Sequence, residues 1–241
     1  MAGRSYFVAD LHLCASRPRV TATFLDFLGA LDGEALYILG DLFEAWVGDD
    51  DLDAAPYRDV ADALGRVVER GIAVNFMHGN RDFLVAGRYA AACGMQLLAD
   101  PTLADIHGTP TLLMHGDTLC TGDAAYLAFR GQVRDPAWQA AFLAQPLAVR
   151  RAQALAARTQ SESAKAGKAA EIMDVDAREV ARVLAAYGYP RLIHGHTHRP
   201  GRHEVMVDGH ACERWVLPDW DARWGYVVCD AAGCELVIEP L

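Results

Sequence analysis

The chain has 241 residues, 52% of them apolar, which is enough to bury a sizeable core in one large domain, or one domain carrying an insertion, and excludes a disordered chain. Its formal net charge of −10 and pI near 5.3 argue against a general nucleic-acid binder, which carries a basic footprint. No apolar run approaches the roughly 18 residues of a membrane-spanning helix, and residues 1–6 lack the apolar stretch of a secretory signal, so a cytosolic location is the default expectation.

Short β-branched runs alternate with amphipathic stretches through the first half of the chain, the pattern of βαβ units. Strands are predicted over 6–9, 35–39, 73–77 and 111–114. Helices fit between them: one over 20–31, where Phe24, Leu25, Leu28 and Leu31 share a face, and one that opens at Pro56 and ends near Gly71. Each strand runs into a polar cluster: Asp10 and His12, then Gly40-Asp41, then Gly79-Asn80-Arg81, then His115-Gly116-Asp117. Ligands of open α/β sheets bind outside the carboxyl ends of the strands, so the four clusters predict one shared site. From 124 to 170 the strand signals stop, and Ala-rich helical sequence broken by Pro136 and Pro146 takes over. This predicts a helical cap over 124–170, inserted in a core formed by 1–123 and 171–241. The core pattern resumes with a helix over 177–187, a strand over 191–194 and the cluster Gly195-His196-Thr197-His198, followed by short strands near 203–207, 213–216, 226–229 and 235–238. The six cysteines, Cys14, Cys93, Cys120, Cys212, Cys229 and Cys234, contain no CxxC pair and are expected to be reduced, mostly buried small side chains.

The strand-end clusters carry the chemistry. An extended backbone puts residues i and i+2 on the same face, so Asp10 and His12 can reach one metal ion, and His196 and His198 can do the same. With Asp41, Asn80 and His115 the set comprises four imidazoles, two carboxylates and one amide, more than one tetrahedral ion uses. Two ions sharing a bridging Asp41 account for all seven. A lone histidine beside a strand is more often a packed or surface residue, and an isolated Gly-Asp is usually a turn; the joint occurrence at successive strand ends favours a di-metal centre. Oxygen and imidazole ligation without thiolate suits Mn, Fe or Zn and disfavours a closed structural zinc site. His78 and His194 point away by strand alternation and are expected to pack or to support the ligands, while His107, His203 and His210 carry no signal.

Asp10-Leu11-His12, Gly40-Asp41, Gly79-Asn80, His115 and Gly195-His196-Thr197-His198 resemble the motif set of the calcineurin-like metallophosphoesterases. The resemblance implies an α/β fold, an αββα sandwich of two sheets. It also implies a first metal held by Asp10, His12, Asp41 and His198, and a second held by Asp41, Asn80, His115 and His196. A closer resemblance runs over essentially the whole chain. The blocks from Phe43 to Asp51, Gly79 to Leu84 and His115 to Thr121, with Ile172-Met173-Asp174-Val175, look like those of the UDP-2,3-diacylglucosamine diphosphatase family of lipid A biosynthesis. That resemblance implies hydrolysis of the diphosphate to UMP and a diacylglucosamine 1-phosphate, two Mn²⁺ per subunit, and a peripheral position on the cytoplasmic side of the inner membrane. Its implied substrate contacts are Asn80, Arg81, Asp123, Ser161, Lys165, Lys168 and His196. Gly122 stands where the family usually has Asp, Lys165 where it has Asn and Pro218 where it has Gly. No nucleic-acid partner is expected, and a monomer is.

Two divalent ions against two carboxylates leave a local charge of about +2, which draws an anionic diphosphate and lowers the pKa of water held there. Many relatives follow the ligand Asn with His, a leaving-group acid; here Arg81 follows it. Arginine gives up no proton at pH 7 but binds phosphate as a fork, which suits a phosphate leaving group that needs little protonation. Between 124 and 170 lie seven basic residues (Arg130, Arg134, Arg150, Arg151, Arg158, Lys165, Lys168) and two acidic ones (Asp135, Glu162), a segment charge of +5 that leaves −15 in the rest. Tyr126, Leu127, Phe129, Trp138, Phe142, Leu143, Leu147 and Leu155 run through the same segment. Such residues often only pack a cap onto a core, but a basic and apolar cap also suits an acyl chain beside a phosphate, or an anionic membrane surface. Two other functions compete with this one: a phosphodiesterase or nuclease on the same scaffold, which the Arg81 block and the cap disfavour, and a binding protein on an inactive phosphoesterase fold, which the complete ligand set disfavours.

Overall fold

Hydrophobic alternation along the central strands decides the architecture. In β1 (Ser5–Val8), Tyr6 and Val8 join one core cluster while Phe7 joins another. In β2 (Ala35–Leu39), Leu36 and Ile38 face the first cluster and Leu39 the second; in β3 (Ala73–Met77), Val74 and Phe76 face the first and Met77 the second. Strands buried on both faces must be covered twice, and a layered sandwich results. The computed structural model of the chain describes residues 3–165 and 174–241, with 160–165 by backbone alone.

One sheet holds six strands in the order β11-β10-β1-β2-β3-β4, with β4 at Gln96–Leu98, β10 at Arg223–Asp230 and β11 at Gly233–Pro240; β1 to β4 are parallel and the β10–β11 hairpin closes one edge. The other holds β5 (Thr102–Ile106), β6 (Thr109–Met114), β7 (Arg191–His194), β9 (His210–Val216) and β8 (Gly201–Val207), in that order. Phe7, Leu39 and Met77 meet Leu113, Ile193 and Trp215 between the sheets. Helices α1 (Pro18–Ala30), α2 (Tyr57–Glu69) and α3 (Gly87–Cys93) cover the first sheet, and α7 (Ala177–Ala186) covers the second through Val180, Val183 and Leu184. This is the expected αββα sandwich.

Three elements escape the sequence reading. β4 and β5 are short edge strands with exposed Leu97 and Leu103, so they lack a clean period. Helix α3 has no capping side chain of its own; the Asp49 carboxylate accepts the Ala86 and Tyr89 N–H groups at 3.0 and 2.9 Å, a cap supplied from another loop. The cysteines also need correcting, because register places Cys229 opposite Cys234 in the β10–β11 hairpin, where they form a disulfide. Cys14, Cys93, Cys120 and Cys212 are free.

Between β6 and β7 lie α4 (Ala124–Val133), α5 (Pro136–Leu143) and α6 (Leu147–Lys165). Pro136 opens α5 behind the Asp135 cap, and Pro146 directly precedes α6, so both prolines mark helix starts. Phe142, Trp138 and Leu147 pack into the large core cluster. The described basic side chains of this segment are paired with the core, though Arg151 stays 52% exposed. Arg150, 2% exposed, pairs with Asp50, Arg151 with Asp51, and Arg130 with Asp117 and Asp100; Arg158 reaches Glu44 at 3.0 Å and Arg134 donates to the Gly79 carbonyl at 2.8 Å. Four of these five arginines meet carboxylates of the core and the fifth a backbone carbonyl, so they tie the helices to the core, pairings that the composition of the segment does not show.

Candidate metal centre

The seven candidate ligands sit in loops at the carboxyl ends of β1, β2, β3, β6 and β7. The loops after β1 and β2 are zipped together: Asp10 N–H donates to Gly40 O at 3.1 Å, His12 N–H to Asp41 O at 3.0 Å and Leu13 N–H to Leu42 O at 2.9 Å. From the other sheet, His196 N–H donates to Asp10 Oδ2 at 2.7 Å. The reason Asp10 and His12 converge differs from the extended-strand argument. Asp10, His12, Asp41, His196 and His198 all have left-handed backbone, with φ of 56°, 51°, 54°, 69° and 54°. Left-handed backbone is uncommon for residues other than glycine, and a sparsely populated conformation of this kind, costing about 1–3 kcal/mol each, persists where surrounding bonds enforce it. Two glycines permit the close approach. A Cβ on Gly79 would lie 2.1 Å from Asp41 Oδ1, and one on Gly195 2.5 Å from Asp10 Oδ2.

Two groups of side chains are arranged to hold a cation. Ligating atoms of Asp10, His12 and His198 lie within 4.8 Å of one another, as do those of Asp10, Asp41 and His115. Asn80 Oδ1 extends the second group, 3.0 Å from His115 Nε2 and 3.1 Å from a ring nitrogen of His196. The donor set fits divalent ions. Asp10 Oδ1 is buried with, among the described residues, no hydrogen-bond donor nearer than His198 Nε2 at 3.5 Å, so a lone pair is left pointing into the pocket where a cation would satisfy it. Burial pushes the Asp41 carboxyl above its ordinary range, with Asp82 and Asp10 adding to the shift and His115 opposing it. Burial drives His12 and His196 down to about 3, so both present neutral imidazoles, the ligating form. At His115 and His198 burial is outweighed by the carboxylates of Asp41 and Asp117 and of Asp10 and Asp219, which raise the two rings to about 9 and about 10, so that a cation bound there displaces their protons. At Asp10 burial opposes the charge, but the His198 ring, by hydrogen bonding and charge, and then His115 hold the carboxyl well below its ordinary range.

Supporting groups that the sequence reading left without a role complete the site. Asp82, fully buried, accepts N–H bonds from Gly79 at 2.9 Å, Leu42 at 2.7 Å and Asp41 at 3.3 Å, and so ties the Asn80 loop to the Asp41 loop. Asp219 lies 3.4 Å from His198 Nδ1, so the turn containing Pro218 still delivers a carboxylate to a ligand histidine. Asp117 accepts bonds from Tyr126 and Arg130, and the Tyr126 ring lies against His196 with centroids 5.9 Å apart. Asp82, Asp117 and Glu44 all fall inside the motif blocks; proximity to a ligand was their only sequence signal. His78 donates to Val85 O at 2.7 Å and His194 to Gly195 O at 2.9 Å, both in supporting positions.

Arg81 stands beside the ligands, its side chain 15% exposed, and its backbone N–H donates to Asp41 Oδ1 at 2.8 Å. Asp123 caps α4 by accepting the Tyr126 N–H at 3.1 Å. Ser161 and Lys165 belong to the backbone-only end of α6, and Lys168 lies outside the described residues.

Residues 3–200 match the family model described as calcineurin-like phosphoesterase. The chain is similar to proteins named UDP-2,3-diacylglucosamine hydrolase from Cellvibrio japonicus (50% identical over 232 residues, 95% of this chain and 96% of that one), from Aromatoleum aromaticum (51% over 230 residues, 94% and 93%) and from Xanthomonas campestris pv. campestris (51% over 239 residues, 95% and 96%). A phosphoesterase domain of this kind implies divalent metal ions, and the groups above are suited to hold them. The chain belongs to the calcineurin-like phosphoesterase family, in the branch that includes these UDP-2,3-diacylglucosamine hydrolases.

Proposed function

We propose that this chain hydrolyses the diphosphate bond of UDP-2,3-diacylglucosamine to UMP and 2,3-diacylglucosamine 1-phosphate (lipid X), a step of lipid A biosynthesis. The observation that carries this reading is 50% identity across 95% of the chain to a hydrolase named for that substrate. The first ion is assigned to Asp10, His12, Asp41 and His198, and the second to Asp41, Asn80, His115 and His196; manganese is proposed from the family resemblance, the oxygen and imidazole set suiting iron or zinc as well. Two such ions, when bound, stabilise charge developing on phosphate oxygens and make water a competent nucleophile at neutral pH. The chain's own residues do the rest. Asn80 and Arg81 orient the diphosphate, Arg81 as a two-pronged donor to the leaving phosphate. Asp123, Ser161, Lys165, Lys168 and His196 are proposed contacts to the sugar nucleotide.

Residues 124–170 act on this reading as a cap over a core of 1–123 and 171–241. Support comes from apolar side chains that its helices leave outside the core: Phe129, Leu143, Val149 and Leu155, the last 67% exposed. They suit acyl chains, or the cytoplasmic side of the inner membrane to which the protein would bind peripherally. Among the described residues no helix is long and apolar enough to cross a membrane.

Product analysis tests the assignment. With the diacylated UDP-sugar, UMP and the acylated sugar 1-phosphate are expected; chelation should stop the reaction and manganese should restore it best. Release of UDP, or full activity in metal-free protein, would overturn the reading. Arg81→Ala is expected to lower kcat by roughly a hundredfold or more, the scale of losing one preorganised charge-stabilising donor. Arg81→Lys should recover little, because the forked geometry is gone. A rise in KM alone in Arg81→Ala would make Arg81 a uniform binder instead.

A further inference from the structure

Glu44 sits at the junction of the metal centre and the helices that cover it, and neither the ligand set nor the substrate contacts include it. It is only 7% exposed. Its backbone N–H donates to Leu13 O at 3.1 Å, which locks it to the loop that carries His12. Oε2 lies 3.6 Å from His12 Nδ1, while Oε1 lies 3.0 Å from Arg158 of α6 and 4.0 Å from Arg81. One buried carboxylate thus faces a metal-ligand imidazole, the proposed phosphate-binding arginine and an arginine of the covering helix.

A buried carboxylate survives only when paired, and here two guanidinium groups share the pairing. Two cations drawn to one oxygen would repel each other without it. On its other side Oε2 faces the buried Nδ1 of a ligand histidine at 3.6 Å, longer than a hydrogen bond, and among the described residues no other group bonds that nitrogen; a carboxylate placed there is suited to orient the ring, and such interactions tune metal affinity. We propose that Glu44 is a positioning residue that couples docking of α6 to the metal centre, holding Arg81 and Arg158 as a pair and His12 in its ligating orientation. The proposal rests on the di-metal hydrolase reading above.

Two measurements test it on the full-length chain. Metal-free Glu44→Gln, which keeps size and loses charge, is titrated with manganese by calorimetry; binding about 10–100-fold weaker than in the unsubstituted chain is expected. The kinetic cycle of Glu44→Gln with Arg158→Gln should be non-additive, the double variant falling within about twofold of the worse single variant in kcat/KM. Glu44→Asp, which keeps the charge and shortens the reach, should shift both readouts in the same direction and serves if the first variant does not fold. Unchanged manganese affinity, or losses that multiply, would overturn the role of Glu44. A chain that releases no UMP from the acylated substrate would instead overturn the functional reading, and the manganese titration would still decide the case for Glu44.

Discussion

Asp41→Ala is expected to reduce turnover by about a thousandfold or more, and by more than Asn80→Ala. Asp41 is shared between the two proposed ions, so its loss removes alignment from both, whereas Asn80 serves one. The electrostatic help of a metal pair is worth several kcal/mol, and about 4 kcal/mol corresponds to a thousandfold. Asp41 also organises protein groups directly: its Oδ1 accepts the Arg81 N–H at 2.8 Å, and its own N–H is held by Asp82. The alanine variant therefore disturbs both the ions and the arginine beside them. Metal analysis checks this without turnover. Two tightly held ions in Asp41→Ala would contradict the bridging role.

The site was legible because each strand of β1, β2, β3, β6 and β7 ends in a cluster of ligand-type residues, and parallel strands deliver their carboxyl ends to one edge. The period-2 burial of Phe7 against Tyr6 and Val8, or of Leu113 against Leu112 and Met114, made the buried sheets readable for the same reason. What stayed hidden depends on contacts distant in sequence. Arg150 and Asp50 are 100 residues apart, as are Arg151 and Asp51, so composition alone showed a basic segment and not the core carboxylates that receive it. The left-handed backbone at Asp10 and His12 arises from pairing with the next loop and from the Trp220 N–H that bonds Asp10 O at 3.1 Å. Local pattern suggested an extended chain. The pairing of Cys229 with Cys234 follows from hairpin register, which residue spacing does not fix.

Removing the acyl chains from the substrate is expected to cost about a thousandfold or more in specificity constant, and to depress kcat as well as affinity. Each methylene taken out of water is worth about 0.8 kcal/mol, so burying on the order of ten supplies roughly 8 kcal/mol before ordering costs. If half survives those costs, about 4 kcal/mol remains, a thousandfold. Binding energy from a remote part of a substrate can be used to hold the reacting groups in line, which is why turnover should fall too. Phe129, Leu143, Val149 and Leu155 provide apolar surface on the helices of the proposed cap, and Arg158 and Arg134 tie those helices to Glu44 and to the Gly79 carbonyl beside the ligands. The decisive measurement is UMP release from the diacylated UDP-sugar and from UDP-N-acetylglucosamine under identical detergent conditions with manganese. Efficient release from the first and very poor release from the second, even at saturation, is the predicted result; comparable specificity constants would contradict it and reduce the protein to a general nucleotide-sugar diphosphatase.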